Sequence, residues 1–162
     1  MRLVVAAVGV ARNVPEQELC ELYCKRVRAL GPKLGFSKFD VTIAETSRVS
    51  TAFARMNEEA AKLIAKVPPG AHRIVLDQGG RSVTSEAFAA HLAKLRDSGA
   101  RDLAFLIGGP DGLAASLRDN AQQRLAFGGQ TWPHLLVRAM LAEQIYRAMT
   151  ILAGHPYHRG QA

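Results

Sequence analysis

Apolar residues follow two patterns along this chain, and the two patterns alternate. Short runs rich in β-branched residues predict buried strands, whereas apolar residues that recur every three to four positions predict amphipathic helices. The first run, RLVVAAVGV, is followed by the helical stretch VPEQELCELYCKRVRAL, and the alternation continues to the last helix. This order is typical of an α/β fold, in which a mostly parallel sheet carries helices on both faces.

Five strands and five helices are predicted from these patterns and from their boundary residues. Proline suits the first turn of a helix, serine or threonine can cap it, and glycine can end it. The predicted strands are residues 2–10, 36–45, 72–77, 102–109 and 123–127. The predicted helices are residues 14–30, a second helix capped by Ser50 or Thr51 and ended by Pro-Pro-Gly, and then residues 84–97, 111–118 and 133–152.

The apolar positions of the first two helices predict which side chains face the sheet. In the first helix these are Leu19, Leu22, Tyr23, Val27 and Leu30. In the second helix they are Phe53, Ala60, Leu63 and Ile64. The fourth strand is apolar throughout, so we expect both of its faces to be buried.

Glycine-bearing loops follow three consecutive predicted strands, at residues 77–80, 108–112 and 128–133. If the strands are parallel, these loops share the edge of the sheet where open α/β sheets bind ligands. Taken singly, each loop is compatible with an ordinary turn. The sequence contains neither the dinucleotide motif G-x-G-x-x-G nor a Walker loop, which disfavours an ordinary dehydrogenase or kinase.

The composition is that of an ordinary globular domain. The chain has 162 residues, of which 48% are hydrophobic and 22% charged, so we expect one domain spanning residues 1–162. No secretion signal or membrane span is predicted, and we therefore expect a cytoplasmic protein that does not enter a membrane. Cys20 and Cys24 lie one helical turn apart without C-x-x-C spacing, which favours buried thiols.

The net charge points towards a particular class of partner. A formal charge of +7 favours a polyanion such as RNA, because basic side chains neutralise phosphates. The basic residues are spread along the chain, however, and a solvated basic surface explains the same composition. Composition leaves both interpretations open.

Polar residues of the last predicted helix fall on two nearly opposite sides. His134 and Arg138 lie on one side, and Glu143, Arg147 and Thr150 lie on the other. A helix that is apolar between these sides needs two covering surfaces. A second copy of the chain could supply one of them, and complete burial within one domain is the alternative. The spacing of Glu143 and Arg147 also suits an ion pair, which could aim Arg147 at a phosphate or a base.

The chain ends on AGHPYHRGQA, a stretch rich in reactive and stacking side chains. His155, Tyr157, His158 and Arg159 combine imidazoles, an aromatic ring and a guanidinium. Such a mixture suits an RNA base drawn out of its stack, and a mobile end without a role is the alternative. No metal site is predicted, because the two histidines have no clear carboxylate or thiolate companion.

Several stretches together resemble the RlmH family of the SPOUT superfamily. They are MRLVVAAVG, the loop in FLIGGPDGL, the Thr-Trp-Pro-His segment, the Glu-Gln-x-Tyr-Arg-Ala run and the Tyr-His-Arg tail. The resemblance covers nearly the whole chain. It implies an S-adenosylmethionine-dependent methyltransferase that modifies N3 of a pseudouridine in 23S ribosomal RNA, with the assembled ribosome as its partner and substrate. It also implies a homodimer and a trefoil knot in the carboxyl-terminal half.

The resemblance assigns site residues by position. The methyl-donor site would comprise Leu76, Gly108, Gly109, Gly128, Gly129, Gln130, Thr131, Trp132 and Pro133. The catalytic residues would be Glu143, Arg147, Tyr157 and His158, and further substrate contacts would come from His134, Arg138, His155 and Arg159. His158 could accept the N3 proton, directly or through water. The family often has serine at position 128, so a hydroxyl contact would be lost here whereas backbone contacts would survive.

Two other functions are compatible with parts of the sequence. A non-catalytic, basic RNA-binding or ribosome-associated module would use the same charge and tail but would bind no methyl donor. A flavodoxin-like enzyme acting on a small molecule would use the same kind of sheet, although the basic charge and the missing phosphate motifs disfavour it.

Overall fold

Five parallel strands form the centre of the structure over residues 1–158, the part of the chain that this computed structural model describes. They are β1 (Arg2–Val8), β2 (Lys38–Ala44), β3 (His72–Arg81), β4 (Asp102–Ile107) and β5 (Gln123–Leu125). Their order in the sheet is β2-β1-β4-β3-β5, and each pair of neighbours is parallel. The carboxyl ends of the strands therefore share one edge of the sheet.

Five α-helices accompany these strands within residues 1–158. They are α1 (Pro15–Leu30), α2 (Ala52–Ala65), α3 (Ser85–Asp97), α4 (Ala115–Asp119) and α5 (His134–Leu152), with a 3-10 turn at Gly31–Leu34 after α1. The starts follow from the sequence. Pro15 is the first residue of α1, and the hydroxyl oxygens of Thr51 and Thr84 accept backbone N–H bonds at the starts of α2 and α3.

Helices cover both faces of the sheet, as β1 illustrates. Leu3, Val5 and Ala7 belong to the core beneath α1, α3 and α5. Ala6 and Val8, which point the other way, belong to the core beneath α2 and α4. The predicted α/β architecture is therefore confirmed, with a sheet that is entirely parallel in the described part of the chain. The trefoil knot stays a prediction.

The predicted loop at residues 77–80 belongs instead to β3. This strand pairs with β5 on both sides of an irregularity, first through Leu76 and then through Arg81. Gly80 allows the close approach, because a Cβ atom there would lie 2.7 Å from the carbonyl carbon of Arg124. The segment between the two pairings bulges at the carboxyl edge, where a ligand can reach its backbone.

The start of α4 also differs from the prediction, by four residues. Residues 109–112 form a tight turn in which the N–H of Gly112 donates to the carbonyl of Gly109 over 3.0 Å. Gly112 has a φ of +88°, which a helix cannot accommodate. The helix therefore begins only at Ala115.

Several side chains predicted to face the sheet are exposed instead. Phe53 is 74% exposed and Ile64 39%, whereas Ala60 and Leu63 are buried as predicted. In α1, Val27 is buried, but Leu19 and Leu22 are exposed and the cysteines take the inward positions. The buried face of α1 is therefore rotated from the predicted one, because Cys20 and Cys24 lie on it with Val27.

Two predictions about composition can be compared with the structure. Cys20 and Cys24 are both buried as free thiols, with their sulfur atoms 3.9 Å apart, which confirms the interpretation of the pair. Among the helices of residues 1–158, none is long and apolar enough to cross a membrane.

Candidate active site

A cleft of about 1100 Å³ lies at the carboxyl edge of the sheet. Its walls are formed mainly by residues 76–79, 107–113 and 125–134, together with Met56, Arg118 and Val137. All three predicted loops therefore meet at one edge, as expected for parallel strands. The residues that the resemblance assigns to a methyl donor, from Leu76 to Pro133, all line this cleft.

Residues 107–113 form the middle wall of the cleft, which requires glycine at two successive positions. A Cβ atom on Gly108 would collide with the carbonyl group of Gly112. A Cβ atom on Gly109 would lie 2.8 Å from Oε2 of Glu59 and 3.0 Å from Cγ1 of Val8. Neighbouring atoms therefore lie directly against the backbone of this wall, and a ligand can approach its peptide groups closely.

An ion pair fastens this wall to α2. The guanidinium of Arg55 donates to both carboxylate oxygens of Asp111, with distances of 2.6 and 3.0 Å, and also to the carbonyls of Val49 and Ser50. The hydrogen bond from Arg55 is the main cause that lowers the pKa of Asp111. The paired geometry fixes the orientation of the loop more than it adds stability, because the pair is exposed to solvent.

Glu59 lies behind the same wall, and the sequence interpretation missed it. Its side chain is 2% exposed, and Oε1 accepts the backbone N–H of Ser47 over 2.9 Å. Oε2 faces Gly109 and has no hydrogen-bond partner among the described residues. The sequence did contain a signal for this residue. Glu59 lies four positions before Leu63, which places a charged residue on the buried face of α2.

Residues 125–134 form the third wall of the cleft. Its side chains form hydrogen bonds to the backbone or to the opposite wall. The indole N–H of Trp132 donates to the carbonyl of Phe127 over 2.9 Å. The hydroxyl of Thr131 donates to the side-chain oxygen of Gln78 over 2.7 Å. Gly128 has a φ of +91°, a left-handed conformation that favours glycine.

His134 lines the cleft, whereas Arg138 lies beneath it. Burial, followed by the nearby charge of Arg138, lowers the pKa of His134. Arg138 is 3% exposed and donates to the carbonyls of Gly9 and Val8 over 2.8 and 3.2 Å. It therefore holds the end of β1 and presents no exposed cation to a substrate.

The tail folds back onto α5 and forms a second polar site. We call Glu143, Arg147, Tyr157 and His158, with Tyr23 of α1 and Glu86 of α3, the tail cluster. Oε1 of Glu143 accepts two bonds from Arg147, at 2.9 and 2.6 Å, and one from the hydroxyl of Tyr157 at 3.1 Å. The four predicted catalytic residues are thus brought together in one network.

Tyr157 has the most contacts of these side chains. Its hydroxyl lies 3.2 Å from that of Tyr23, and the guanidinium of Arg147 lies 4.9 Å from the centre of its ring. Burial raises its pKa, and hydrogen bonding to Tyr23 and the charge of Glu143 raise it further. The hydroxyl therefore remains protonated at neutral pH and acts as a donor. Arg147 likewise has its pKa raised, chiefly by Glu143.

Two members of the tail cluster were not predicted, and two predicted residues lie outside it. Tyr23 and Glu86 come from separate helices, and no sequence spacing links them to the tail. His155 is exposed, with Nδ1 accepting the backbone N–H of Tyr157 over 3.1 Å. Arg159 falls outside the described residues.

The cleft and the tail cluster are far apart within one chain. His134 begins α5 at the cleft, and Arg147 follows thirteen positions later. At a rise of 1.5 Å per residue, this separates them by roughly 20 Å. Within residues 1–158, no group of three or more His, Cys, Asp or Glu side chains is arranged to hold a metal ion.

Comparison with known proteins identifies the family. The family described as "Predicted SPOUT methyltransferase" matches residues 1–158. Proteins named ribosomal RNA large subunit methyltransferase H from Rhodopseudomonas palustris and Nitrobacter hamburgensis are 54% and 51% identical to this chain. The alignments cover 98% of this chain and 99% of the first relative, and 99% of this chain and 100% of the second.

A solved structure shares the fold. The crystal structure of a probable methyltransferase from Bordetella pertussis has a TM-score of 0.51 and 15% identity, and the match covers 91% of this chain and 95% of that one. At that identity the likeness concerns the fold alone. A methyltransferase family requires a methyl donor, and the cleft is the large cavity found at the ligand-binding edge of this sheet. The chain belongs to the SPOUT methyltransferases and, within them, to the family of ribosomal RNA large subunit methyltransferase H.

Proposed function

We propose that this protein is an S-adenosylmethionine-dependent methyltransferase that modifies N3 of a pseudouridine in 23S ribosomal RNA, acting on assembled ribosomes. The names of the relatives, which are about half identical over the full chain, support the RNA class. The net charge of +7 is consistent with a phosphate-rich partner. Residues 1–162 would form one such domain, with the trefoil knot in its carboxyl-terminal half.

The observation that carries the proposal is the glycine-walled cleft. Its middle wall has no room for a Cβ atom at Gly108 or Gly109, so peptide groups form the surface there. Residues 128–133 supply a further wall. These features fit S-adenosylmethionine, which would be held by backbone groups of both walls and by Leu76. When bound, this donor supplies a methyl group activated by a sulfonium centre.

The residues of the tail cluster would act on the RNA. Arg147, whose charge is kept by Glu143, would hold a phosphate or favour the deprotonated base. Tyr157 would donate a hydrogen bond to the base or stack on it, since its hydroxyl stays protonated. His158 would accept the N3 proton. His134, at the cleft, would line the space between donor and base.

The distance between the two sites favours a homodimer. Arg147 of the docked tail cluster lies roughly 20 Å along α5 from His134, so it does not reach a base held at its own cleft. Two α5 helices packed antiparallel around a twofold axis would bring the cluster of one chain to the cleft of the other. Exposed apolar side chains outside α5 could add to the contact; Trp132 directly precedes α5, and Leu19 and Leu22 belong to α1, which packs on α5.

Two experiments test the function. Calorimetry should detect S-adenosylmethionine binding to the purified protein, and the absence of specific heat would favour a non-catalytic RNA-binding module instead. Mass spectrometry of ribosomal RNA from a strain that lacks this protein should show loss of one N3-methylated pseudouridine, which returns when the protein is supplied. Unchanged nucleosides in both samples would contradict the proposal.

A further inference from the structure

We propose that Glu86 is a positioning residue, whose carboxylate accepts Nε2–H of His158 and so leaves Nδ1 as the nitrogen that can take a proton. The inference rests on the proposed function, because it deepens the part assigned to His158 there. It depends on two contacts made by one imidazole ring.

The two contacts select one tautomer. Nε2 of His158 lies 2.8 Å from Oε1 of Glu86, and Nδ1 lies 3.4 Å from Nη1 of Arg147. A guanidinium can only donate, so Nδ1 must be the acceptor. The ring proton then belongs to Nε2, where an ionised carboxylate can receive it.

Glu86 is well suited to this task. It lies in the first turn of α3, where the helix dipole favours a negative charge. Its pKa is lowered by hydrogen bonds, first from its own backbone N–H and then from His158 and Thr84. It is therefore ionised at neutral pH and available as an acceptor.

Two helices place charged groups against His158, and two further polar groups lie beside these contacts. Glu86 belongs to α3, Arg147 and Glu143 to α5, and Tyr157 to the tail itself. Glu143 is engaged by Arg147 and Tyr157, which leaves Glu86 as the carboxylate in contact with the imidazole. The arrangement is a carboxylate–histidine pair in which the carboxylate fixes the ring and the histidine faces the chemistry.

The consequence for the reaction concerns a single proton. When Arg147 turns Nη1 towards an acceptor on the RNA, Nδ1 of His158 becomes free to accept a proton from the base. The N3–H bond of the base breaks, its electron pair stays on N3, and the proton forms a new bond to Nδ1. Nε2–H remains on Glu86 throughout, so the ring keeps its orientation while it gains charge.

The test compares Glu86→Ala with Glu86→Gln, because a glutamine side chain keeps an acceptor oxygen without the charge. Nitrogen-15 NMR of the histidine rings in the protein alone reports which nitrogen of His158 carries the proton. Because the Arg147 contact alone also excludes a proton from Nδ1, the spectra are compared in Arg147→Met chains. There we expect an unprotonated Nδ1 with Glu86 or Glu86→Gln, and a mixture of tautomers with Glu86→Ala. Glu45→Ala, an exposed acidic position outside both sites, is the control.

Kinetics supply the second readout. We expect kcat to fall about 30-fold in Glu86→Ala and about threefold in Glu86→Gln, with KM for RNA and donor affinity within about twofold of the wild type. Identical His158 shifts in Arg147→Met chains with Glu86 and with Glu86→Ala would overturn the inference, as would a wild-type ring protonated on Nδ1. Since NMR needs neither RNA nor donor, a protein with the expected tautomer that methylates nothing would contradict the proposed function alone.

Discussion

Six glycines line the cleft, whereas the tail cluster is made of charged and aromatic side chains. At Gly108 and Gly109 there is no space for a Cβ atom, and the loop is held from behind by α2. In the cluster, one oxygen of Glu143 alone accepts three hydrogen bonds from side chains. The first site therefore depends on close backbone approach, and the second on the identity of individual functional groups.

This difference predicts opposite responses to mutation. Adding a methyl group should be severe in the cleft wherever the backbone is packed, and harmless where space exists. Removing a charge or a hydroxyl should be severe in the tail cluster even when shape is kept. Donor binding should report the first kind of damage, and turnover with RNA the second.

The largest expected effect is that of Gly108→Ala. The added Cβ would collide with Gly112, so the wall must move, and a displacement near 1 Å costs on the order of 100-fold in affinity or rate. We expect donor binding measured by calorimetry to weaken by at least that factor. Gly129→Ala is the matched control, because a Cβ there meets nothing within 4 Å. Equal donor affinity in the two variants would remove the basis for a backbone-built cleft.

The next effect is that of Arg147→Met, which keeps much of the stem and removes the charge. Loss of a donor aimed at developing charge lowers kcat by about 100-fold, as at other sites of this kind. Donor affinity should stay within about twofold, because Arg147 is assigned to the RNA and does not line the cleft of its own chain. Arg147→Lys keeps the charge without the paired donors, so its kcat should lie between those of the wild type and Arg147→Met. A variant that loses donor binding in proportion to turnover would contradict the separation of roles.

A smaller effect is expected for Tyr157→Phe. The ring still packs edge-on against Tyr146, at 4.9 Å between centroids, but the hydrogen bond to Glu143 is lost. A hydrogen bond to a charged group contributes about 1.5 kcal/mol or more, so kcat should drop about tenfold. Circular dichroism and thermal unfolding provide the check on folding. Full activity in this variant would show that the hydroxyl has no part in the reaction.

The smallest effect concerns pH and the cleft. Burial lowers the pKa of His134 below the value of about 6.5 for an unfolded chain, so the unfolded state binds its proton first. The free energy of unfolding should therefore fall as pH drops through about 6.5, and His134→Gln should make that fall shallower. Denaturant titrations at several pH values measure it. His72 and His91, whose pKa values burial also lowers, should account for the remaining slope. An unchanged slope in His134→Gln would be inconsistent with a His134 pKa lowered by partial burial.

Sequence alone predicted the order of elements well, because apolar period and boundary residues are local properties. Pro15, Thr51 and Thr84 mark helix starts as expected. The exposed Phe53 was misjudged, since the extent to which neighbouring elements cover a helix is a tertiary property. The bulge in β3 was missed for a related reason, because it depends on where β5 pairs.

The candidate site likewise has features that the sequence predicts and features that depend on tertiary contacts. The glycine loops could be assigned to one edge from strand direction alone, and the structure confirms that they meet there. Arg138 was predicted to contact the RNA substrate, but the structure shows it buried against backbone carbonyls. Glu86 and Tyr23 carried no signal, because their contacts with the tail join positions 72 and 134 residues apart.

The most direct test asks whether the tail cluster of one chain serves the cleft of another. Gly108→Ala and Arg147→Met chains, each inactive alone, would be co-expressed with different tags so that mixed dimers form. A mixed dimer then contains one site with an intact cleft and an intact cluster, and random pairing predicts about a quarter of wild-type activity. Activity no higher than that of either variant alone would contradict the account.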